Sequence, residues 1–297
     1  MNYLITGATG FIGSKLVDML LSEGNSVDYL GRKRSASVDS RAAFHCWNPS
    51  EKPPLNSVPT LDAIVHLAGE PVAQRWTKEG KERIYRSRVE GTRRLVSAIG
   101  ELQHKPAVLV TASAVGYYGD RGNEMLTENS TPGKDFLAEV CLDWEREATR
   151  AEEFGVRVVR IRIGVVLGPD GGALKQMLRP FRLGMGGKLG SGRQWMPWIH
   201  IDDLLRLFAF AAGNASVSGP LNGSSPQPVT NAEFTRCLGH ALHRPAILPM
   251  PKFALKIAIG EFANVVFASL RVMPEATQRS GFQFVHPEVG AALKNLL

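Results

Sequence analysis

The residues best suited to hold an anion open the chain. Gly7, Gly10 and Gly13, in TGATGFIG, follow an apolar run and begin an amphipathic segment carrying Leu16, Met19 and Leu20. Glycine permits a tight turn and lets backbone N–H groups come close to a ligand. The first turn of a helix adds unpaired N–H donors and the positive end of its dipole. Strand, glycine turn and helix in that order make a cradle for the pyrophosphate of a dinucleotide, with Thr9, Phe11 and Ile12 in the same turn. A glycine turn with no ligand is the bland alternative, and the order of the elements speaks against it.

The second apolar run ends at Gly31, followed by Arg32, Lys33 and Arg34. Sites that prefer NAD place a carboxylate near this point to accept from the ribose 2′-hydroxyl. A small residue beside guanidinium and ammonium groups instead makes room for a 2′-phosphate and pairs with it. NADP(H) is therefore the expected cofactor, against the alternative of a solvated basic loop. Ile84, Arg88, Gly91, Leu95 and Ile99 recur at helical spacing, so Arg88 shares a face with small and apolar residues. A guanidinium there needs a partner, either a cofactor phosphate or an acidic side chain of the protein.

Arg193, Gln194, Trp195, Trp198 and His200 precede a helix expected to begin near Asp202. Aromatics with a few polar groups suit a small-molecule lining. The competing reading makes Trp195 and Trp198 core residues and lets His200, with Asp202, fasten the helix start. His240 and His243 lack a third ligand, so no metal is expected.

These groups need a scaffold, and the hydrophobic pattern supplies one. Strands are expected at Tyr3–Thr6, Ser26–Leu30, Ala63–Leu67, Val108–Ala112 and Val156–Ile161. Between them lie helical patterns at Ser14–Ser22, in a basic stretch ending near Ile99, and at Phe136–Glu153. Such alternation predicts an α/β protein with a doubly wound parallel (Rossmann) sheet over residues 1–165. Residues 199–224 are expected to return to it, and 166–198 with 225–297 to form a smaller C-terminal substrate domain. The run from Phe253 to Leu270 is long enough to tempt a membrane reading, but Lys256, Glu261 and Asn264 interrupt it. A buried helix is expected there, and no membrane partner.

The net charge is +7, but the basic residues are spread along the chain and no nucleic-acid-binding motif accompanies them, so no nucleic-acid partner is expected. Cys46, Cys141 and Cys237 have neither paired nor metal-ligand spacing, which fits a reducing, cytoplasmic setting. Monomer and homodimer both stay open.

The motifs G7-x-x-G10-x-x-G13, HLAGE at 66–70, SRVEGT at 87–92, SAVGYYG at 113–119, RIGVVLGPDGGAL at 162–174 and GSGRQWMPWIHIDDL at 190–204 narrow the reading further. With RPAILPMPKFALKIAIGE near the C-terminus, the chain resembles the atypical "epimerase family" branch, family 39U, of the extended short-chain dehydrogenases/reductases. The resemblance spans essentially the whole chain. It implies that Leu67, Ala68, Gly69 and Glu70 run along the cofactor, that Arg32 meets the adenosine phosphate, and that Thr111, Ala112 and Ile163 complete the cofactor site.

It also implies a Ser or Thr after the long central strand, and a Tyr followed four residues later by Lys, for proton transfer. Ser113 matches the first. The pair is missing: the residues four beyond Tyr3, Tyr29, Tyr85, Tyr117 and Tyr118 are Gly7, Lys33, Val89, Arg121 and Gly122, and Tyr29 lies on the second strand, by the adenosine. Leu137 and Cys141 occupy the expected spacing, on an apolar face with Trp144, Ala148 and Ala151. Two readings follow. One is an NADP(H)-dependent oxidoreductase or epimerase of an unidentified small molecule that draws its proton from Ser113, Tyr117 or Tyr118. The other is a non-catalytic NADP(H)-binding sensor or partner-binding module. The furnished substrate side favours the enzyme.

Overall fold

A computed structural model describes residues 1–297. The chain runs through β1 (Asn2–Thr6), α1 (Phe11–Ser22), β2 (Ser26–Gly31), β3 (Ala43–Cys46), β4 (Ala63–His66), α2 (Lys78–Glu101) and β5 (Val108–Ala114). There follow β6 (Met125–Leu126), α3 (Phe136–Thr149), β7 (Arg157–Ile163), β8 (Val165–Gly168) and α4 (Gly172–Arg182). Next come β9 (Trp195–Met196), β10 (Trp198–His200), α5 (Ile201–Gly213) and β11 (Gly219–Gly223). The last part holds β12 (Val229–Thr230), α6 (Asn231–Ala241), α7 (Lys252–Ile259), α8 (Phe262–Phe267), β13 (Arg271–Val272), α9 (Glu275–Arg279) and α10 (Val289–Leu296).

Seven strands form one parallel sheet in the order β11-β7-β5-β4-β1-β2-β3. The chain winds outward from β1 in both directions, so the fold is a doubly wound Rossmann sheet with helices on each face. On one face Leu16, Val17 and Leu20 of α1 and Leu204, Leu207 and Phe208 of α5 pack against Ile5, Val65, Val110 and Val159. On the other, Leu95 and Ile99 of α2 and Ala148 of α3 cover Leu4, Ile64, Leu109 and Val158. Strands buried on both faces read as continuous apolar runs, as these do. The winding direction reverses between β1 and β4, and loops leaving their carboxyl ends splay apart there to leave a crevice.

The C-terminal helices build a separate core of Leu174, Leu178, Phe181, Trp198, Phe234, Leu238, Val289 and Leu293. Glu128 ties a neighbouring C-terminal segment to the sheet. Its buried carboxylate accepts from the backbone N–H groups of Asn222 (3.0 Å), Ala276 (3.0 Å) and Thr277 (3.3 Å).

One local reading needs correction, and two elements, α4 and β3, were not foreseen. The segment 253–270 is not a buried helix: Gly260 breaks it into α7 and α8, no α7 residue is buried, and Phe253 and Ile257 are 69% and 74% exposed. Helix α4, where no helix was expected from the sequence, has buried Leu174, Leu178 and Phe181 at steps of four and three. Strand β3, short and half polar, carries no alternation strong enough to be seen in the sequence. No helix is long and apolar enough to cross a membrane.

Register aligns Thr6 with His66, and His66 with Thr111. The His66 ring lies between Thr6 Oγ1 (2.7 Å from Nδ1) and Thr92 Oγ1 (3.0 Å from Nε2). Thr6 Oγ1 also accepts from the Ala68 N–H at 3.2 Å, which fixes the loop leaving β4. Burial, helped by the nearby charge of Arg88, lowers the His66 pKa from 6.5 to about 4. The folded state thus resists protonation while the unfolded chain accepts it. The associated stability is complete above pH 6.5, and about 3 kcal/mol is lost as the pH falls to about 4. Urea unfolding between pH 7 and pH 4.5 is expected to show this slope, flattened in His66→Gln; an unchanged slope in the variant would contradict the assignment.

Candidate active site

The turn after β1 closes tightly on the loop after β4. Gly7 has a φ of +75°, and a Cβ there would stand 2.7 Å from the Leu67 carbonyl carbon. A Cβ at Gly13 would stand 2.2 Å from the Gly7 oxygen, so glycine is required at both positions. Helix α1 begins at Gly10 with no side-chain cap, unlike α2, α3 and α6, which Thr77, Asp135 and Thr230 cap. The first N–H groups of α1 therefore lack a side-chain acceptor at the carboxyl edge of the sheet, where Thr9 and Gly10 are exposed. Phe11 and Ile12 are half-buried in the same turn.

Gly31 ends β2, and Arg32, Lys33 and Arg34 stand exposed beyond it with no acidic partner. A cavity of about 710 Å³ opens beside this loop, lined in part by Tyr29, Arg34, Ser35 and Asp39. Of the basic run read as the phosphate site, Arg34 lines it and Arg32 and Lys33 do not.

Leu67, Ala68 and Gly69 follow β4. Arg88 reaches them from α2, its guanidinium carbon within 3.1 Å of where a Gly69 Cβ would lie. Arg88 donates to the Glu70 carbonyl at 2.8 Å and to the Ile84 carbonyl at 3.4 Å, and lies over the Trp144 ring at 5.3 Å. It has no ion pair: the Glu70 carboxylate is engaged by Arg83 instead (3.5 Å). Burial consequently pulls the Arg88 pKa down. Of the two partners foreseen for Arg88, the intramolecular carboxylate is absent. Thr111, fully buried, and Ala112 lie within β5, and Ile163 ends β7.

Register places Ser113 of β5, Arg162 of β7 and Asn222 of β11 side by side. They belong to one buried polar network. Glu145 of α3 receives Ser113 Oγ (2.7 Å) and both Nε (2.8 Å) and Nη2 (2.9 Å) of Arg162. Arg162 Nη1 donates to Tyr118 Oη (3.0 Å) and to the Glu128 carbonyl (3.1 Å), and Tyr118 Oη donates to Asn222 Oδ1 (2.6 Å). Burial tends to discharge Arg162, but hydrogen bonding and charge from Glu145 outweigh it and raise its pKa. Tyr118 is fully buried, and burial pushes its pKa up to about 12. The Tyr117 ring lies 3.5 Å from the Arg162 guanidinium carbon, a cation–π contact, and no hydrogen bond engages its hydroxyl.

Leu137 and Cys141 are buried on α3, and burial raises the Cys141 pKa to about 12, so its thiol stays protonated. One turn beyond Cys141 stands Glu145, which sequence reading missed together with Arg162, Glu128 and Asn222. A signal was present: arginine at 162, between Ile161 and Ile163 on a strand of the sheet, demands a buried counter-charge.

The substrate-side residues divide. Trp198 is wholly buried in the C-terminal core. His200 caps α5, accepting the Asp202 N–H at 3.1 Å, and stacks on His286 at 3.8 Å. Both thus take the packing alternative. Arg193 is exposed; half-buried Trp195 donates to Asn123 at 3.0 Å and lies under Arg271.

Residues 3–222 match the NAD dependent epimerase/dehydratase family. The chain belongs to that family. Residues 250–296 match a further domain model, the domain of unknown function DUF1731. The epimerase family protein SDR39U1 homolog of Arabidopsis thaliana, a chloroplastic protein, is 43% identical over 100% of this chain and 87% of its own length. The epimerase family protein YfhF of Bacillus subtilis is 36% identical over 100% of this chain and 98% of its own. The crystal structure of human epimerase family protein SDR39U1 with NADPH superposes with a TM-score of 0.90 at 35% identity, covering 100% of this chain and 99% of that one.

Removing one partner of the Glu145–Arg162 pair leaves a buried, uncompensated charge. Arg162→Met and Glu145→Leu should each cost about 3–5 kcal/mol in denaturant unfolding. The double variant should cost far less than their sum; additive costs would show that the two side chains do not act as a pair.

Proposed function

We propose that the chain binds NADP(H) and is an oxidoreductase or epimerase acting on a small molecule. The observation that carries this reading is the uncapped start of α1 held against the Leu67–Ala68 backbone by a turn that only glycine can make. N–H groups there would receive the pyrophosphate. Arg32 and Lys33, free of acidic partners, would take the 2′-phosphate beside Gly31, and Arg88 would offer its remaining donors to the cofactor. The human relative solved with NADPH supports the same choice. When bound, the nicotinamide supplies hydride transfer.

The protein's part is to position the substrate and move a proton. Ser113 Oγ is committed to Glu145, and Tyr118 Oη is held between Arg162 and Asn222. Tyr117 keeps a free hydroxyl, and the Arg162 guanidinium stacked against its ring face holds the ring in place. Tyr117 is therefore the proposed proton donor and acceptor, with the ion pair beneath it as its support. Trp195 and Arg193 remain as substrate contacts. Residues 1–165 with 199–224 act as the cofactor domain, and the remaining segments as the part that closes over substrate.

A second reading, a non-catalytic NADP(H) sensor, is favoured by one observation: buried Leu137 and Cys141 occupy the positions where the resemblance implies tyrosine and lysine. Purified protein assayed with NADPH and a panel of carbonyl compounds separates the two. Turnover that Tyr117→Phe lowers by 10²-fold or more, on the order expected of a lost acid–base group, supports the enzyme, provided NADPH fluorescence shows cofactor binding unchanged. Binding without turnover across the panel supports the sensor.

A further inference from the structure

Eleven large apolar side chains are exposed on the whole protein, and seven of them fall in two short stretches: Leu183, Met185, Ile247, Leu248, Met250, Phe253 and Ile257. The two stretches are stitched together. Leu248 N–H donates to the Gly186 carbonyl (3.1 Å), Met250 N–H to Lys188 (2.9 Å), Gly190 N–H to Met250 (2.9 Å), and Arg244 Nε to Arg182 (3.2 Å). The exposed side chains thus gather on one part of the surface, beyond the C-terminal core.

Within the two segments that carry them, the charged side chains are of a single sign. Residues 171–201 contain five lysines and arginines and residues 234–260 four, and neither segment holds an aspartate or glutamate. All nine cations are exposed. On α7, Lys252, Phe253, Lys256 and Ile257 repeat at one-turn spacing on the outward side, while Ala254, Leu255 and Ile259 face the body half-buried. The acid that follows, Glu261, is bound to Lys81. The acid at the start of α6, Glu233, closes the capping box with Thr230.

A helix that presents alternating ammonium groups and large apolar side chains, with none of its residues buried in its own protein, suits the boundary between lipid headgroups and acyl chains. Clustered cations add attraction to anionic headgroups. A second copy of the chain seated on the same face would set Lys252 and Lys256 against cations of its own kind, so self-association there is electrostatically disfavoured. From these observations we infer that this face docks on an anionic lipid surface, with Phe253 and Ile257 entering the interface. No membrane-spanning helix is needed. The absence of a membrane partner expected from the sequence rested on spanning alone.

Full-length protein should co-sediment with vesicles of equal parts phosphatidylcholine and phosphatidylglycerol, and stay in solution with phosphatidylcholine alone. Binding should fall at high salt. Phe253→Glu/Ile257→Glu and Lys252→Gln/Lys256→Gln should each reduce capture to the phosphatidylcholine level with unchanged thermal midpoints, because all four side chains are exposed. The inference is overturned if wild-type protein ignores the anionic vesicles, if both double variants bind as well as wild type, or if sedimentation velocity shows a dimer that Phe253→Glu dissociates while vesicles capture nothing.

Discussion

The approach of two backbones governs this structure. The turn leaving β1 lies so close to Leu67 and Ala68 that a methyl group at Gly7 would overlap their main-chain atoms, and one at Gly13 would overlap the main chain of the turn itself. Side chains can shift to relieve crowding, but the backbone of a central parallel strand is fixed on both sides by its ladder. The contact therefore sets where α1 begins and where the loop after β4 runs. It also leaves uncapped N–H groups at the point where the winding direction reverses, the place where open α/β sheets gather ligands.

A second constraint lies deeper. Where the family resemblance implies tyrosine and lysine, α3 of this chain has leucine and cysteine, and one turn further a glutamate paired with Arg162. A buried ion pair is tolerable when its remaining donors and acceptors are also satisfied. Here Ser113, Tyr118, Asn222 and the Glu128 carbonyl meet that condition. The same arrangement withdraws Ser113 and Tyr118 from solvent and leaves Tyr117 stacked on the cation. Meanwhile the Glu128 carboxylate holds Ala276 and Thr277, so the packing of the C-terminal part and the polar network share one residue.

Much of this was legible in the residues themselves. Continuous apolar strands and the glycine turn foretold the parallel sheet, because burial on both faces and close backbone approach leave direct marks on sequence. Arg88 on an apolar helix face announced an unmet need for a counter-charge. Long-range polar pairing was harder to read. Glu145 looks like one more helix carboxylate until the register of β5 against β7 sets Ser113 beside Arg162. His200 and Trp198 resemble pocket residues because aromatic and imidazole side chains serve cores and caps equally well. The stretch at 253–270 misled because apolar content signals burial only when another surface exists to cover it.

Calorimetric titration of ligand-free protein with NADPH and with NADH bears most directly on the cradle and its cationic neighbour. Charge-assisted contacts to a 2′-phosphate should make NADPH the tighter ligand by roughly ten- to a hundredfold. Equal affinities would remove the role given to Arg32 and Lys33, and the absence of heat with either nucleotide would contradict dinucleotide binding altogether.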